Sequence, residues 1–125
     1  MLDRRKYERW IKAAKKTLES AYGDLERGDY NWACFKAQQA AEIAVKALLY
    51  GLGLSAYGHS ISRLLQTIER KGVDITEDLM HSAKTLDKYY VPTKYPNVWV
   101  EGAPHEYYTR VDGLNAIQQA RKIIE

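Results

Sequence analysis

Between Tyr7 and Leu25 apolar residues recur at intervals of three and four: Tyr7, Trp10, Ile11, Ala14, Leu18, Ala21, Tyr22 and Leu25. Such spacing lines one face of a helix, leaves lysines and arginines on the other, and predicts a first helix over about 3–27. Gly28 and Asp29 stop it, since glycine suits the position after a helix and aspartate the N-cap of the next. A second helix is predicted to run to about position 52. Its inner stripe is Tyr30, Ala33, Cys34, Ala37, Ala41, Ala44, Val45, Leu48 and Leu52. The alanines of that stripe allow a neighbouring helix to come close.

Gly51, Gly53 and Gly58 open a loop, followed by a short helix over about 60–71 with Ile61, Leu64, Leu65 and Ile68 inward. Thr76 is placed to cap a fourth helix whose first turn holds Glu77 and Asp78, where carboxylates suit the helix dipole. Its stripe is Ile75, Leu79, Ala83, Leu86 and Tyr90. Pro92 and Pro96 then disfavour helix in the residues before them, leaving an irregular stretch over 91–102. A last helix is expected from near Pro104 to the end, on Val111, Leu114, Ile117, Ala120 and Ile124.

No strand pattern survives. Short connections between amphipathic helices imply antiparallel neighbours. The expected fold class is all-α: an up-and-down bundle of four long helices plus one short one, forming a single domain over 1–125. Its expected core includes Leu18, Ala41, Val45, Leu48, Leu65, Leu79 and Leu86.

Composition narrows the classes. Hydrophobic residues make up 46% and charged residues 28%, as in a globular protein. No run approaches the length of a membrane span, and the charged start Asp3-Arg4-Arg5-Lys6 is unlike a secretory signal. One cysteine, Cys34, gives no intramolecular disulfide and fits a reducing, cytoplasmic setting. The net charge of +3 is compatible with a nucleotide ligand, yet far below the basic footprint of a sequence-specific DNA binder. Arg4, Arg5, Lys6, Lys12, Lys15 and Lys16 read as a solvated face of the first helix, with a binding patch as the alternative. His59, His81 and His105 lack metal-ligand spacing, and no phosphate-loop motif marks a cofactor. Neither a metal nor a cofactor is expected.

Candidate chemistry gathers between the second helix and the irregular stretch. Gln38, Gln39, Glu42 and Lys46 form another stripe on the second helix. Glu42 and Lys46 lie four apart, in the order that favours pairing. His59 precedes a helix start, where an imidazole can cap or meet an anion. Asp87 stands beside Tyr89 and Tyr90. Lys94 and Tyr95 are held between Pro92 and Pro96, and a stiff loop presents them at low entropic cost. The ligand site is therefore expected at Glu42, Lys46, His59, Asp87, Lys94 and Tyr95, all meeting on one side of the bundle. The alternative is a buried polar network that only pins the loop.

The run Phe35-Lys36-Ala37-Gln38-Gln39-Ala40-Ala41-Glu42-Ile43-Ala44-Val45-Lys46-Ala47-Leu48-Leu49 resembles the signature of HEPN domains. His59 followed by Leu64-Leu65 resembles it too, as does Leu86-Asp87-Lys88-Tyr89-Tyr90-Val91-Pro92-Thr93-Lys94-Tyr95-Pro96. The family is similar to the substrate-binding helical domain of kanamycin nucleotidyltransferase. The resemblance implies a homodimer that binds a nucleotide or presents substrate to a minimal nucleotidyltransferase partner. Carboxylates would hold a ribose or amino group, and Lys46, His59 and Lys94 the phosphates. Where the family has Arg-Tyr-Pro this chain has Lys94-Tyr95-Pro96, which keeps the charge and loses the planar fork. Other members are metal-independent ribonucleases with an Arg followed four to six residues later by a His. No arginine here stands in that relation to His59, His81 or His105, so no catalytic residue is expected. A toxin-type ribonuclease and a purely structural dimerisation module are the alternative functions.

Overall fold

A computed structural model describes residues 3–124. Helix α1 spans Arg4–Arg27, and the Asp3 side chain caps it by accepting from Lys6 N at 3.1 Å. Gly28, at φ 83°, closes it in the left-handed conformation that glycine tolerates, its N–H turned to the Asp24 and Leu25 carbonyls. Helix α2 spans Tyr30–Gly51. Asp29 occupies its N-cap position but makes no side-chain cap bond; its carboxylate lies 3.5 Å from Arg27 Nε instead. Ser60 caps α3 (Ile61–Glu69), and Thr76 caps α4 (Glu77–Asp87) through Leu79 N at 3.1 Å.

The irregular stretch after α4 contains short 3-10 turns at Pro96–Val98 and Pro104–Glu106. Helix α5 follows over Arg110–Ile124. Pro104 thus starts a single turn and not the last helix, which begins later than expected. Thr109 and Asp112 start it by capping one another: Asp112 Oδ2 accepts from Thr109 N at 2.8 Å, and Thr109 Oγ1 accepts from Asp112 N at 3.3 Å. Glu125, the expected last helical residue, lies outside the described residues. Among the described residues there is no strand. The fold is an all-α bundle.

α2 is its central element, packed against α1 and α5 and touching α3 and α4. It is buried around more of its circumference than one stripe predicts, for Ala40, Ala47 and Leu49 join Ala33, Ala37 and Ala41 inside. Small residues set the spacing of the α1–α2–α5 layer: Ala14 and Ala21 on α1, and Gly113, Ala116 and Ala120 on α5. A Cβ on Gly113 would stand 2.8 Å from Leu25 Cδ1 and 3.6 Å from Ala33 Cβ, so the Leu25 side chain would have to shift to admit one. Ala41, Val45, Leu65 and Leu86 are buried as expected. Leu18, Leu48 and Leu79 are only half-buried, packed on the rim of the core. On α5 the inward face is Gly113, Ala116, Ile117 and Ala120, while Val111 and Leu114 point outward.

Candidate functional site

Glu42 sits in mid-α2 with 4% of its surface exposed, and its carboxylate is crowded with donors. Lys46 Nζ donates to Oε2 at 3.1 Å from one turn further on. Gln38 Nε2, one turn earlier, donates to Oε1 at 3.2 Å. His59 Nδ1 lies 3.2 Å from Oε1 and 3.3 Å from Oε2. Burying a carboxylate is costly unless it is paired and hydrogen-bonded, and these partners supply both conditions. Gln38 is itself fully buried and also donates to the His59 carbonyl at 3.1 Å, so α2 grips the loop at two points.

Asp87, at the end of α4, acts on the start of α3. Its Oδ1 accepts from Ile61 N at 2.6 Å, and its Oδ2 from Ser62 N at 3.2 Å and Ser62 Oγ at 2.7 Å. Ser60 Oγ donates to Oδ2 as well, at 3.1 Å. A carboxylate at a helix N-terminus satisfies unpaired N–H groups and suits the dipole. Both oxygens are engaged by the protein, and the result is a fixed position for His59, one residue before the cap.

From His59 the site continues through rings. Its imidazole stacks on Tyr90 at 4.5 Å and 15°. Lys94 Nζ stands 4.2 Å from the Tyr90 centroid, 4.4 Å from Phe35 and 5.3 Å from Tyr95, in cation–π contact with three rings. All six expected residues therefore join one cluster, running from Lys46 through Glu42, His59 and Tyr90 to Lys94 and Tyr95, with Asp87 beneath. His59 keeps 55% of its side chain exposed, whereas Lys46 keeps 13%.

Several supporting roles were not foreseen from the sequence. Phe35 and Tyr90 form the ring surface under Lys94, and Gln38, expected only on the polar stripe of the second helix, holds the loop before α3. Asn31, buried near the start of α2, donates to the Thr93 carbonyl at 3.0 Å, and Thr93 Oγ1 donates to the Tyr89 carbonyl at 2.7 Å. These bonds hold the Lys94 loop in addition to its prolines. Their only sequence signal is residue type: an asparagine bordering an apolar stripe needs a partner if it is buried. Trp99 packs face to face on Tyr107 at 4.1 Å and donates to the Pro92 carbonyl at 2.8 Å, so it too is part of the loop's support.

Cys34 is fully buried on α2. Burial, and then the negative charge of Asp112, push the Cys34 thiol from 9.0 up to about 12. A thiol so held stays protonated at neutral pH and is a poor nucleophile. His81 and His105 are exposed and apart from the cluster. Among the described residues no group of His, Cys, Asp and Glu could hold a metal ion, and no helix is long and apolar enough to cross a membrane.

Comparison with known proteins now adds to the geometry. Residues 7–125 match the family model described as the HEPN domain. A solved protein from Thermus thermophilus is 45% identical and superposes with a TM-score of 0.92, covering 95% of this chain and 93% of that one. A solved archaeal HEPN homologue is 44% identical with a TM-score of 0.80, covering 95% and 92%. A Methanocaldococcus jannaschii protein named "Putative toxin MJ1304" is 28% identical over 124 residues, which is 93% of this chain and 82% of that protein.

Proposed function

The chain belongs to the HEPN family, and from that premise we propose that residues 1–125 act as one noncatalytic nucleotide-binding module. In this reading it presents substrate to a minimal nucleotidyltransferase partner in the cytoplasm. The observation that carries it is the continuous row of Lys46, Glu42, His59, Tyr90 and Lys94. It sets an exposed imidazole and a fixed ammonium beside each other on ring surfaces. Phosphate oxygens accept from Lys94, which contributes as a point charge, and from His59 Nε2–H when the ring carries both protons, because Nδ1–H is already directed at Glu42. Lys46 neutralises Glu42, leaving that carboxylate to orient His59. Tyr95, half-exposed against Lys94, borders the ligand. Asp87 acts by position, holding the start of α3. The missing Arg–His nuclease spacing supports a binding role over a catalytic one.

A twofold homodimer belongs to the same proposal. Tyr7, Ile11, Leu48, Leu79 and Ile123 border an apolar groove that the bundle leaves partly open, and self-association is a common way to cover one.

The test is Lys46→Ala and Lys94→Ala, each measured for nucleotide affinity by calorimetric titration and for thermal stability. Lost affinity at an unchanged melting temperature is the expected result for Lys94→Ala. A wild-type protein that binds no nucleotide defeats the proposal. One observation favours a second reading, a toxin-type ribonuclease: the Methanocaldococcus jannaschii relative is named a toxin. Cleavage of RNA by the purified chain in a metal chelator would select it.

A further inference from the structure

We infer that Trp32 is the stacking platform of this site and that its ligand carries a planar heterocycle beside the phosphate. The inference rests on the nucleotide reading above and names a part of the site that the reading does not use.

Trp32 lies in the first turn of α2, three residues before Phe35, so both side chains emerge from one helix face. Its indole meets the Phe35 ring edge to face, at 6.0 Å and 79°. Phe35 lies 6.1 Å from Tyr90, which carries the His59 stack. The same Phe35 ring receives the Lys94 ammonium at 4.4 Å. A cation and an indole thus flank one ring.

The other tryptophans are used differently. Trp99 is covered by Tyr107 and bonded to the Pro92 carbonyl, and Trp10 packs on Tyr50 at 4.7 Å. Trp32 keeps 42% of its surface in solvent. An indole is the ring with most to gain from being covered, and bases stack on such rings whatever their identity. A base laid on Trp32 lets the attached phosphate reach toward Lys94 across Phe35. Because stacking reads a flat face and no hydrogen-bond pattern, purine nucleotides bind better than pyrimidine ones through ring area alone.

The test compares adenosine 5′-monophosphate with ribose 5-phosphate, which keeps the phosphate and lacks the base, by calorimetric titration of the full chain. Wild type binds the nucleotide more tightly, by about tenfold if one base stacks on one ring. Trp32→Ala brings nucleotide affinity down to that of ribose 5-phosphate and leaves ribose 5-phosphate unchanged; Trp32→Phe restores most of the difference. Equal wild-type affinities for the two ligands overturn the platform while sparing the phosphate site. Binding of neither ligand overturns both. Light scattering on the same samples gives the third outcome: if Trp32→Ala turns a dimer into a monomer, the indole belongs to a subunit interface and the platform is wrong.

Discussion

The α1–α2–α5 layer and the end where α2, α3, α4 and the Lys94 loop meet are held together by opposite means. The first is apolar and small: Ala14, Ala21, Ala33, Ala37, Gly113, Ala116 and Ala120 let three backbones close on one another. The second is directional, with Gln38 on the His59 carbonyl, Asp87 on the first turn of α3, and Asn31 on the Thr93 carbonyl. Close packing gives stability and is insensitive to which residue meets which, so long as volume is conserved. Hydrogen bonds fix particular atoms in particular places, as a site requires. The molecule keeps its stabilising and its positioning interactions in different places.

The largest effect that can separate the two regions is a cavity at their junction. Leu86 on α4 is fully buried in the core while its neighbour Asp87 serves the site. Leu86→Ala is expected to cost about 2–5 kcal/mol in urea unfolding. Leu48→Ala, on the half-exposed rim, should cost clearly less. Equal losses for the two would mean that the rim is covered in solution, as a dimer would cover it.

Next comes the small-residue layer. Gly113→Ala puts a methyl group against Leu25 and is expected to cost about 1–3 kcal/mol. Nucleotide affinity should not change, because α5 contributes nothing to the site. A variant as stable as wild type would show that Leu25 turns aside at a cost no larger than the roughly 1 kcal/mol of helix propensity that alanine adds.

A smaller global cost with a larger local one is expected from Asn31→Ala. The buried Thr93 carbonyl loses its donor, a penalty of about 1–2 kcal/mol. The loop around Lys94 then opens more often, so its amide hydrogens exchange faster while those in mid-α2 do not. Uniform acceleration along the chain would mean that Asn31 stabilises the whole bundle and does not position the loop.

The same division explains what could be read from the sequence. Periodicity finds residues that are buried because they are apolar, and it located every helix. Thr76 was legible as a cap because a cap is a local pattern, whereas Ser60, expected inside the short helix with His59 before it, is the residue that caps α3. The start of α5 was not. Pro104 imitates a first helical residue, while the Thr109–Asp112 pair that does the capping carries Asp in place of the usual Glu or Gln. The inward face of α5 was misplaced for a related reason: where helices approach most closely the contact residue is a glycine, invisible to a search for bulky side chains. Leu18, Leu48 and Leu79 were overrated because apolar character does not say how completely a neighbour covers a residue. The six polar residues of the site were found, but their supports were not, since Asn31 to Thr93 and Ile61 to Asp87 are long jumps in sequence.

At neutral pH the smallest effect belongs to Cys34, and it is none. The fold keeps this thiol protonated, raising it from 9.0 to about 12 by burial and by the nearby charge of Asp112. Burial raises Tyr89 and Tyr108 in the same neighbourhood as well. A raised pKa on an acid means that folding favours its neutral form. The stabilisation is therefore complete below the unfolded thiol's value near 9 and disappears as the pH climbs toward 12. Between about pH 7 and 8.5 the urea midpoint should be independent of these three groups; above that range it should fall. Cys34→Ala removes one of the three, so its alkaline fall should be shallower than that of wild type while the tyrosine contribution persists. Native protein should also resist thiol alkylation at about pH 8 and react readily once unfolded in urea. If the two proteins lose stability with the same alkaline slope, or if the native thiol reacts as fast as a free one, Cys34 is not sealed inside the bundle as its burial indicates.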